Sequence, residues 1–148
     1  MIKIFEIKEM SQSVYDAFER LLPQLSSSAK TPKWEELEDL IASRAGIVLA
    51  AVDEDDPEQT ILGTMTLVVF RIPTGVRAWV EDVVVDTAAR GQGIGEKLIR
   101  TAIERAKEEG AKTIDLTSRP SRVEAHRLYR RCGFEMRETC VFRINLNQ

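Results

Sequence analysis

Apolar residues recur every three or four positions in four stretches of the chain, a spacing that places them on one face of an α-helix. Capping residues and glycines mark the ends of these stretches. Thr31-Pro32, for example, predicts a capping residue followed by proline at the first helical position. The four predicted helices begin after Ser11 or Ser13, at Thr31-Pro32, near Gly95 and at Arg122.

Segments rich in β-branched and aromatic residues lie between these helices and are predicted as strands. The second and third of them are joined by the acidic run D-E-D-D-P-E. This run could bind a cation, but such runs more often form a solvated hairpin turn. The predicted strands are Ile2–Ile7, Ile47–Val52, Thr60–Arg71, Ala78–Val85, Thr113–Thr117 and Thr139–Leu146.

The order of these elements is strand, two helices, three strands, helix, strand, helix and strand. An antiparallel meander followed by a strand–helix–strand crossover predicts an α/β fold, with a mixed sheet of six to seven strands flanked by about four helices. The length of 148 residues fits a single domain that spans residues 1–148.

Charge and composition narrow the classes of function. The 21 basic and 24 acidic residues give a net charge of −3, so nucleic-acid binding is not expected. The apolar runs are too short to cross a bilayer, and Glu6 and Lys8 interrupt the stretch that a signal peptide would need. One histidine with Cys132 and Cys140 cannot complete a four-ligand zinc site. We therefore expect reduced thiols, no metal and a cytoplasmic protein.

The segment from Trp79 to Gly95, W-V-E-D-V-V-V-D-T-A-A-R-G-Q-G-I-G, is the most informative part of the sequence. It reads as a strand, a short loop with three glycines and the start of a helix. Glycines allow backbone N–H groups to approach a ligand, and the first turn of a helix adds unpaired donors. The segment suits a phosphate or pyrophosphate, and Arg90 could add a charge. Plain turn chemistry explains such glycines about as often.

Spacing excludes two familiar nucleotide-binding motifs in this segment. The phosphate-binding loop G-x-x-x-x-G-K-[ST] needs a lysine that is absent here. The dinucleotide-binding pattern needs G-x-G-x-x-G, whereas Gly91, Gly93 and Gly95 give G-x-G-x-G.

The chain resembles the GNAT superfamily of N-acetyltransferases. The family's acetyl-CoA signature, [Q/R]-x-x-G-x-[G/A], is matched by Arg90, Gly93 and Gly95. A second family block is matched by A-x-x-L-Y-x-x-x-G-F from Ala125 to Phe134. The order of helices and strands over the whole chain also agrees with the family.

The resemblance implies where acetyl-CoA binds. The strands Ala78–Val85 and Thr113–Thr117 are expected to splay apart and admit the cofactor between them. Arg122 stands where the family often has asparagine, and whether Ser118 supplies the missing pantetheine contact is left open. The resemblance assigns the pantetheine arm to the backbone of Val83, Val84 and Val85. It assigns the pyrophosphate to the amides of Arg90, Gly91, Gln92, Gly93, Ile94 and Gly95.

Glu81 is the candidate general base. Strand alternation predicts Trp79, Glu81, Val83 and Val85 on one face, with Asp82 on the other. In some polyamine acetyltransferases of the superfamily the strand reads E-D-apolar-apolar-V, and the matching glutamate is the proposed base. Glu81 could instead be a solvated strand residue or a binding group for a cationic substrate.

Tyr129 is the candidate acid, because the matching tyrosine of the family reaches the sulfur of CoA. It could instead be a core residue of its helix. The resemblance also implies that the amide near Val83 stabilises the oxyanion. His126 lies off the buried face and is expected at the surface, and Cys132 is expected in the core.

These features predict an acetyl-CoA-dependent N-acetyltransferase that moves an acetyl group to an amine of a small molecule or peptide by direct attack. The alternative is a non-catalytic acetyl-CoA-binding sensor. Glu81 and Tyr129 favour the enzyme, because binding alone needs neither of them. No motif identifies the acceptor, no nucleic acid or membrane partner is expected, and the sequence is compatible with a homodimer.

Overall fold

One mixed sheet forms the framework of residues 1–117 in the computed structural model, which describes residues 1–147. Its strands are β1 (Ile2–Glu6), β2 (Gly46–Asp53), β3 (Ile61–Ile72), β4 (Gly75–Val85) and β5 (Thr113–Asp115). Their spatial order equals their order along the chain. The first four strands are antiparallel neighbours, whereas β4 and β5 run parallel. The predicted meander and crossover are both present.

Three helices belong to the same unit: α1 (Gln12–Leu25), α2 (Trp34–Ala42) and α3 (Ile94–Glu108). A short 3-10 helix, Thr87–Ala89, lies between β4 and α3. A second compact unit begins at Ser118 and contains α4 (Val123–Arg131). Within residues 1–147, no helix has both the length and the apolar character needed to cross a bilayer.

The two faces of the sheet pack against different helices. On one face a buried cluster joins α1 and α2 to the sheet, and it includes Val14, Phe18, Leu21, Leu37, Val48, Ala50, Val52 and Val84. On the other face, β3 approaches α3 so closely that a Cβ atom at Gly63 would lie 3.2 Å from Ile94 and 3.4 Å from Leu98. Helices therefore cover both faces of the sheet in residues 1–117, as predicted.

The ends of the helices follow the predicted capping residues only in part. Ser11 caps α1, and its hydroxyl accepts the Val14 N–H at 3.2 Å. The predicted start of α2 at Thr31-Pro32 is wrong: α2 begins at Trp34, because Glu36 accepts the N–H of Lys33 at 2.9 Å and completes the cap there. In the second unit, α4 begins at Val123, one residue after the predicted start at Arg122.

The predicted last strand, Thr139–Leu146, is not formed. No described residue after Arg131 lies in a strand, so the sheet has five strands and not six to seven. The side chains of Phe142, Ile144 and Leu146 are 94%, 81% and 83% exposed. A strand requires a neighbour for its backbone hydrogen bonds, and among residues 1–147 no strand pairs with this segment.

Candidate functional site

The sheet opens between β4 and β5. The two strands pair only where Arg77–Trp79 lies opposite Thr113–Asp115, whereas β4 continues to Val85. From Val80 to Val85, the edge of β4 that faces β5 therefore has no strand partner within residues 1–117. Such an edge presents free N–H and C=O groups, which can bond an extended ligand as a neighbouring strand would.

A β-bulge interrupts β4 in the same region. Glu81 is opposite Thr66 and Val84 is opposite Thr64, so two residues of β4 face a single residue of β3. Asp82, one of the two, has a φ of 51°, in the left-handed region that few side chains other than Asn and Asp adopt. A bulge leaves its extra residue outside the ladder and redirects the strand, and bulges are frequent beside active sites.

The bulge also changes which side chains share a face. The register places Glu81 and Val84 on the face of α1 and α2. Val85 is opposite Gly63 and lies on the face of α3. The prediction that Glu81, Val83 and Val85 share one face is therefore wrong for Val85, because the extra residue shifts the alternation. Glu81 itself is exposed, and its carboxylate forms no ion pair within the described residues.

The loop from Arg90 to Gly93 connects the 3-10 helix to α3. Gly91 and Gly93 have φ angles of 84° and 72°, conformations that cost an L side chain about 1–2 kcal/mol. A Cβ atom at either glycine would meet no atom within 4 Å. These glycines are therefore required by the backbone conformation, while the space above them is open to a ligand.

The first turn of α3 presents hydrogen-bond donors next to this loop. Gly93 precedes the helix and has no side chain to cap it. The first intrahelical bond is from the Lys97 N–H to the Gly93 carbonyl, so the earlier N–H groups of Ile94 and Gly95 lack acceptors in the helix. Arg90 is exposed and makes no ion pair in the described part of the chain. Free donors, a helix dipole and a nearby cation together suit a phosphate group.

Asp86 caps the 3-10 helix that leads into this loop, and its contacts hold the start of the segment in place. Its carboxylate accepts the N–H of Ala88 at 3.0 Å and forms an ion pair with the Arg20 guanidinium at 3.1 Å. The Ala88 hydrogen bond and then the bond from Arg20 hold the pKa of Asp86 below its usual value, despite the opposing effect of burial. Asp86 therefore stays ionised at neutral pH and keeps both bonds.

Two side chains of α1, Arg20 and Gln24, make the other contacts with the segment around Asp86. Arg20 also donates a hydrogen bond to the carbonyl of Ile61, and the Gln24 amide oxygen accepts the N–H of Thr87 at 2.8 Å. No pattern in the sequence singled out these three side chains, Arg20, Gln24 and Asp86. An aspartate at the end of a strand, followed by T-A-A, was the signal available for Asp86.

Ser118 begins the second unit. Its hydroxyl oxygen is buried, and it is the one buried side-chain nitrogen or oxygen without a hydrogen-bond partner among residues 1–147. An unpaired buried hydroxyl costs about 1–3 kcal/mol. A bound ligand that supplies a hydrogen-bonding group would remove this cost.

Tyr129 lies on α4 and is 8% exposed. Its ring packs edge-on against Phe134 with the ring centres 5.9 Å apart. Burial raises the pKa of Tyr129 above its usual value, although the positive charge of Arg122 acts in the opposite direction. The phenol is therefore a neutral hydrogen-bond donor throughout the physiological pH range.

His126 lies within α4 and Cys132 follows it, and neither is assigned a catalytic role. His126 is half-buried, and its Nε2 atom is 3.0 Å from the carbonyl oxygen of Arg119. This contact fixes the segment that leads into α4. Cys132 is half-buried at the end of the same helix.

The acidic run between β2 and β3 forms a turn. Asp56 accepts the N–H groups of Glu58 and Thr60 at 3.1 and 3.0 Å, and these bonds hold the pKa of Asp56 below its usual value. Among the residues that the structure describes, no group of three histidine, cysteine, aspartate or glutamate side chains is placed to hold a metal ion.

The predicted site residues thus fall in two groups. Glu81, Val83–Val85 and Arg90–Gly95 follow one another from the bulge through the loop to the start of α3, all within residues 1–117. Ser118 and Tyr129 belong to the second unit.

Comparison with protein families shows a match to the acetyltransferase (GNAT) family over residues 11–134. That match covers all the predicted site residues.

Two rice proteins are similar in sequence. Over 91 residues the chain is 42% identical to the probable glucosamine 6-phosphate N-acetyltransferase 2 of Oryza sativa subsp. japonica. This alignment spans 60% of this chain and about half, 53%, of that protein. Over 136 residues it is 32% identical to glucosamine 6-phosphate N-acetyltransferase 1 of the same organism, spanning 90% of this chain and 79% of that protein.

The fold is similar to that of an aminoglycoside acetyltransferase from an uncultured soil metagenomic sample. The TM-score is 0.84 at 23% identity, and the alignment covers 99% of this chain and 97% of that one. At this level of identity, the similarity shows the fold alone.

Proposed function

Because the chain belongs to the GNAT acetyltransferase family, we propose that it transfers an acetyl group from acetyl-CoA to the amine of glucosamine 6-phosphate or a similar phosphorylated amino sugar. The family is one of acetyl-CoA-dependent acyltransferases. The observation that carries the acceptor class is the 32% identity over 90% of this chain to a protein named for that substrate.

The donor would lie along the free edge of β4 and over the start of α3. Backbone groups of Val83–Val85 would bond the amides of the pantetheine arm, because that edge has no strand partner within residues 1–117. The amides from Arg90 to Gly95 would hold the pyrophosphate. The unpaired hydroxyl of Ser118 supports a polar contact to the pantetheine. Acetyl-CoA supplies a thioester whose carbonyl carbon accepts the amine.

Glu81 would remove the proton that blocks attack. The amine attacks only in its neutral form, because an ammonium group has no free electron pair. The ammonium group of an amino sugar is more acidic than a simple alkylammonium group, with its pKa of ~10.4, since the neighbouring oxygens withdraw electrons, and the base acts on the fraction that is protonated at neutral pH. The exposed carboxylate of Glu81, at the edge of the bulge, is free to accept a proton directly or through water. The bulge leaves a backbone amide near Val83 outside the ladder, and this amide would stabilise the oxyanion.

Tyr129 would return a proton to the departing thiolate. Its raised pKa keeps the hydroxyl protonated until that step. Tyr129→Phe is expected to lower kcat about 10²-fold, with the acetyl-CoA affinity and the melting temperature nearly unchanged, because the proton is needed only as the thiolate leaves. Tyr15→Phe, at the stacked Tyr15–Trp34 pair, is the control and should keep full activity.

A donor with a more acidic leaving thiol should restore much of the rate of Tyr129→Phe, since it leaves without assistance. Wild-type turnover by this variant, under conditions where chemistry limits the rate, would show that Tyr129 is a packing residue only.

Arg20→Gln is expected to raise the Kd for acetyl-CoA by roughly tenfold and to change kcat little. The substitution removes the ion pair that holds Asp86 and the hydrogen bond to Ile61, and bonds of this charged kind are worth about 1.5–3 kcal/mol. Titration calorimetry measures the change, with Arg44→Gln, at an exposed arginine, as the control. An unchanged Kd for acetyl-CoA in a folded Arg20→Gln variant would show that the contacts of Arg20 with Asp86 and Ile61 do not contribute to cofactor binding.

The acceptor is tested by measuring release of CoA thiol with four amines: glucosamine 6-phosphate, glucosamine, spermidine and an aminoglycoside. We expect kcat/KM for glucosamine 6-phosphate to exceed that for glucosamine by roughly 10–100-fold, the value of one or two charged hydrogen bonds to the phosphate. A preference for spermidine or the aminoglycoside would contradict the proposed acceptor class, while acetyl transfer from acetyl-CoA would still stand. Absence of CoA release with any of them would contradict both.

A further inference from the structure

Three side chains of β4 form a row between the bulge and the turn that joins β3 to β4. Arg77, Trp79 and Glu81 are two positions apart in a regular part of the strand, so they share one face at intervals of about 6.5 Å. Glu81 is opposite Thr66, and Thr66 is opposite Val48, a residue of the buried cluster beneath α1 and α2. The row therefore lies on the face of α1 and α2, but none of its three members belongs to that cluster.

Each member of the row has hydrogen-bonding capacity that residues 1–117 leave unused. Glu81 is exposed and forms no ion pair there. Trp79 is half-buried, and its indole N–H has no acceptor in this unit. Arg77 is half-buried without a carboxylate partner in the unit, and its guanidinium donates only to the Thr74 hydroxyl at 3.1 Å and the Val76 carbonyl at 3.5 Å. A carboxylate, an aromatic ring with a free donor and a cation thus follow one another along β4.

This order suits an amine that carries an anionic group on the far side of a ring. The amine is the reacting end, so the acceptor extends from Glu81 along β4 toward Arg77. The indole of Trp79 offers a flat apolar surface to the C–H groups of a sugar ring, and its N–H can donate to a ring hydroxyl. A guanidinium binds a phosphate through two parallel N–H···O bonds, which are each about twice as strong as a neutral bond such as that to Thr74.

We propose that Arg77 binds the phosphate of the acceptor and that Trp79 contacts its sugar ring, which places the amine at Glu81. This inference rests on the proposed function, because it names the residues that select a phosphorylated amino sugar. Four residues of a strand span about 13 Å, so Arg77 reaches the phosphate by turning from Thr74 toward Trp79. Arg77 thus determines specificity and touches no reacting atom.

The test compares kcat/KM for glucosamine 6-phosphate with kcat/KM for glucosamine. The wild type should prefer the phosphorylated sugar by roughly 10–100-fold, and Arg77→Gln should reduce this preference about tenfold or more through a higher KM, with kcat and glucosamine turnover nearly unchanged. Arg77→Lys should keep part of the preference, because an ammonium group retains the charge without the fork of donors. Arg71→Gln is the matched control, since Arg71 is an exposed arginine of β3 on the opposite face, and it should behave as the wild type.

Inorganic phosphate provides a second measurement that does not depend on the amine. At saturating acetyl-CoA it should compete with glucosamine 6-phosphate, and its inhibition constant should rise about tenfold in Arg77→Gln and stay unchanged in Arg71→Gln. The chain has two tryptophans, so the fluorescence of Trp34→Phe reports on Trp79 alone. This fluorescence should change when glucosamine 6-phosphate is added in the presence of CoA. Melting temperatures check that each variant is folded.

The outcomes separate this inference from the proposed function. A wild type without preference for the phosphorylated sugar would contradict the proposed acceptor, and this inference with it. If the wild type has the preference but folded Arg77→Gln keeps it, or Arg71→Gln loses as much, the acceptor stands and the role of Arg77 is overturned. Unchanged fluorescence of Trp79 at saturating glucosamine 6-phosphate would overturn the position of the sugar ring.

Discussion

Replacing Gly93 by valine is expected to abolish detectable acetyl-CoA binding while the fold survives. Gly93 has a φ of 72°, which a β-branched residue adopts only under strain, so the loop would shift and redirect the amides that precede α3. The added side chain would also project into the open space that we assign to the pyrophosphate. Differential scanning fluorimetry checks this, because a ligand that binds the native state alone raises the melting temperature by an amount set by RT ln(1 + [L]/Kd).

Gly110→Val is the matched control for this experiment. Gly110 has a φ of 83° and equally open surroundings, but it follows the opposite end of α3. Both variants should lose a similar amount of stability, about 1–2 kcal/mol from backbone strain. Only Gly93→Val should lose the shift with acetyl-CoA. If both variants lost the acetyl-CoA-induced shift equally, backbone strain alone would explain the impaired binding. Normal acetyl-CoA binding by Gly93→Val would exclude the loop from the cofactor site.

Glu81→Gln is expected to lower kcat/KM by roughly 10²-fold at neutral pH, because the amide keeps the shape of the side chain and cannot accept the proton of the substrate ammonium. The rate should recover in part at high pH, where the free amine is abundant without a base. A pH profile of kcat/KM for wild type and variant is the measurement.

Asp82→Asn provides the control for Glu81→Gln. Asp82 is the adjacent exposed carboxylate, and its φ of 51° is one that asparagine also tolerates, so the bulge should persist. We expect nearly wild-type kinetics from it. A rise in KM alone for Glu81→Gln would identify a substrate-binding carboxylate, and unchanged kinetics would exclude Glu81 from the mechanism.

The family and the order of elements were predictable from the sequence because local signals are repeated along the whole chain. The resemblance to the GNAT family is confirmed by the match over residues 11–134. The meander of β2, β3 and β4 is also confirmed, and of the two predicted caps, Ser11 and Ser13, it is Ser11 that caps α1. Helix periodicity and capping act over a few residues, so a single sequence contains enough information to predict them.

The bulge in β4 could not be predicted from alternation. Whether two residues of β4 or one lie opposite β3 depends on pairing between strands that are distant in sequence. The Arg20–Asp86 ion pair was missed for the same reason, since 66 positions separate its members. Both features lie beside the candidate site, where long-range contacts position the backbone.

The last predicted strand, Thr139–Leu146, shows that a strand-like pattern alone does not establish a strand. The alternation from Cys140 to Leu146 is that of a strand, but alternation does not show whether a neighbouring strand is available to pair with it. The assignment of residues 1–148 to a single domain and the cytoplasmic location stay predictions, as do the roles of Glu81, Ser118 and Tyr129.

The central claim is that the free edge of β4 and the start of α3 together hold acetyl-CoA. Amide NMR spectra of the labelled chain, recorded with and without saturating acetyl-CoA, test it most directly. The largest shift changes should fall on the amides of Val83–Val85 and Gly91–Gly95, with small changes along β1 and β2. Shift changes confined to other parts of the chain, or none at saturation, would contradict the account.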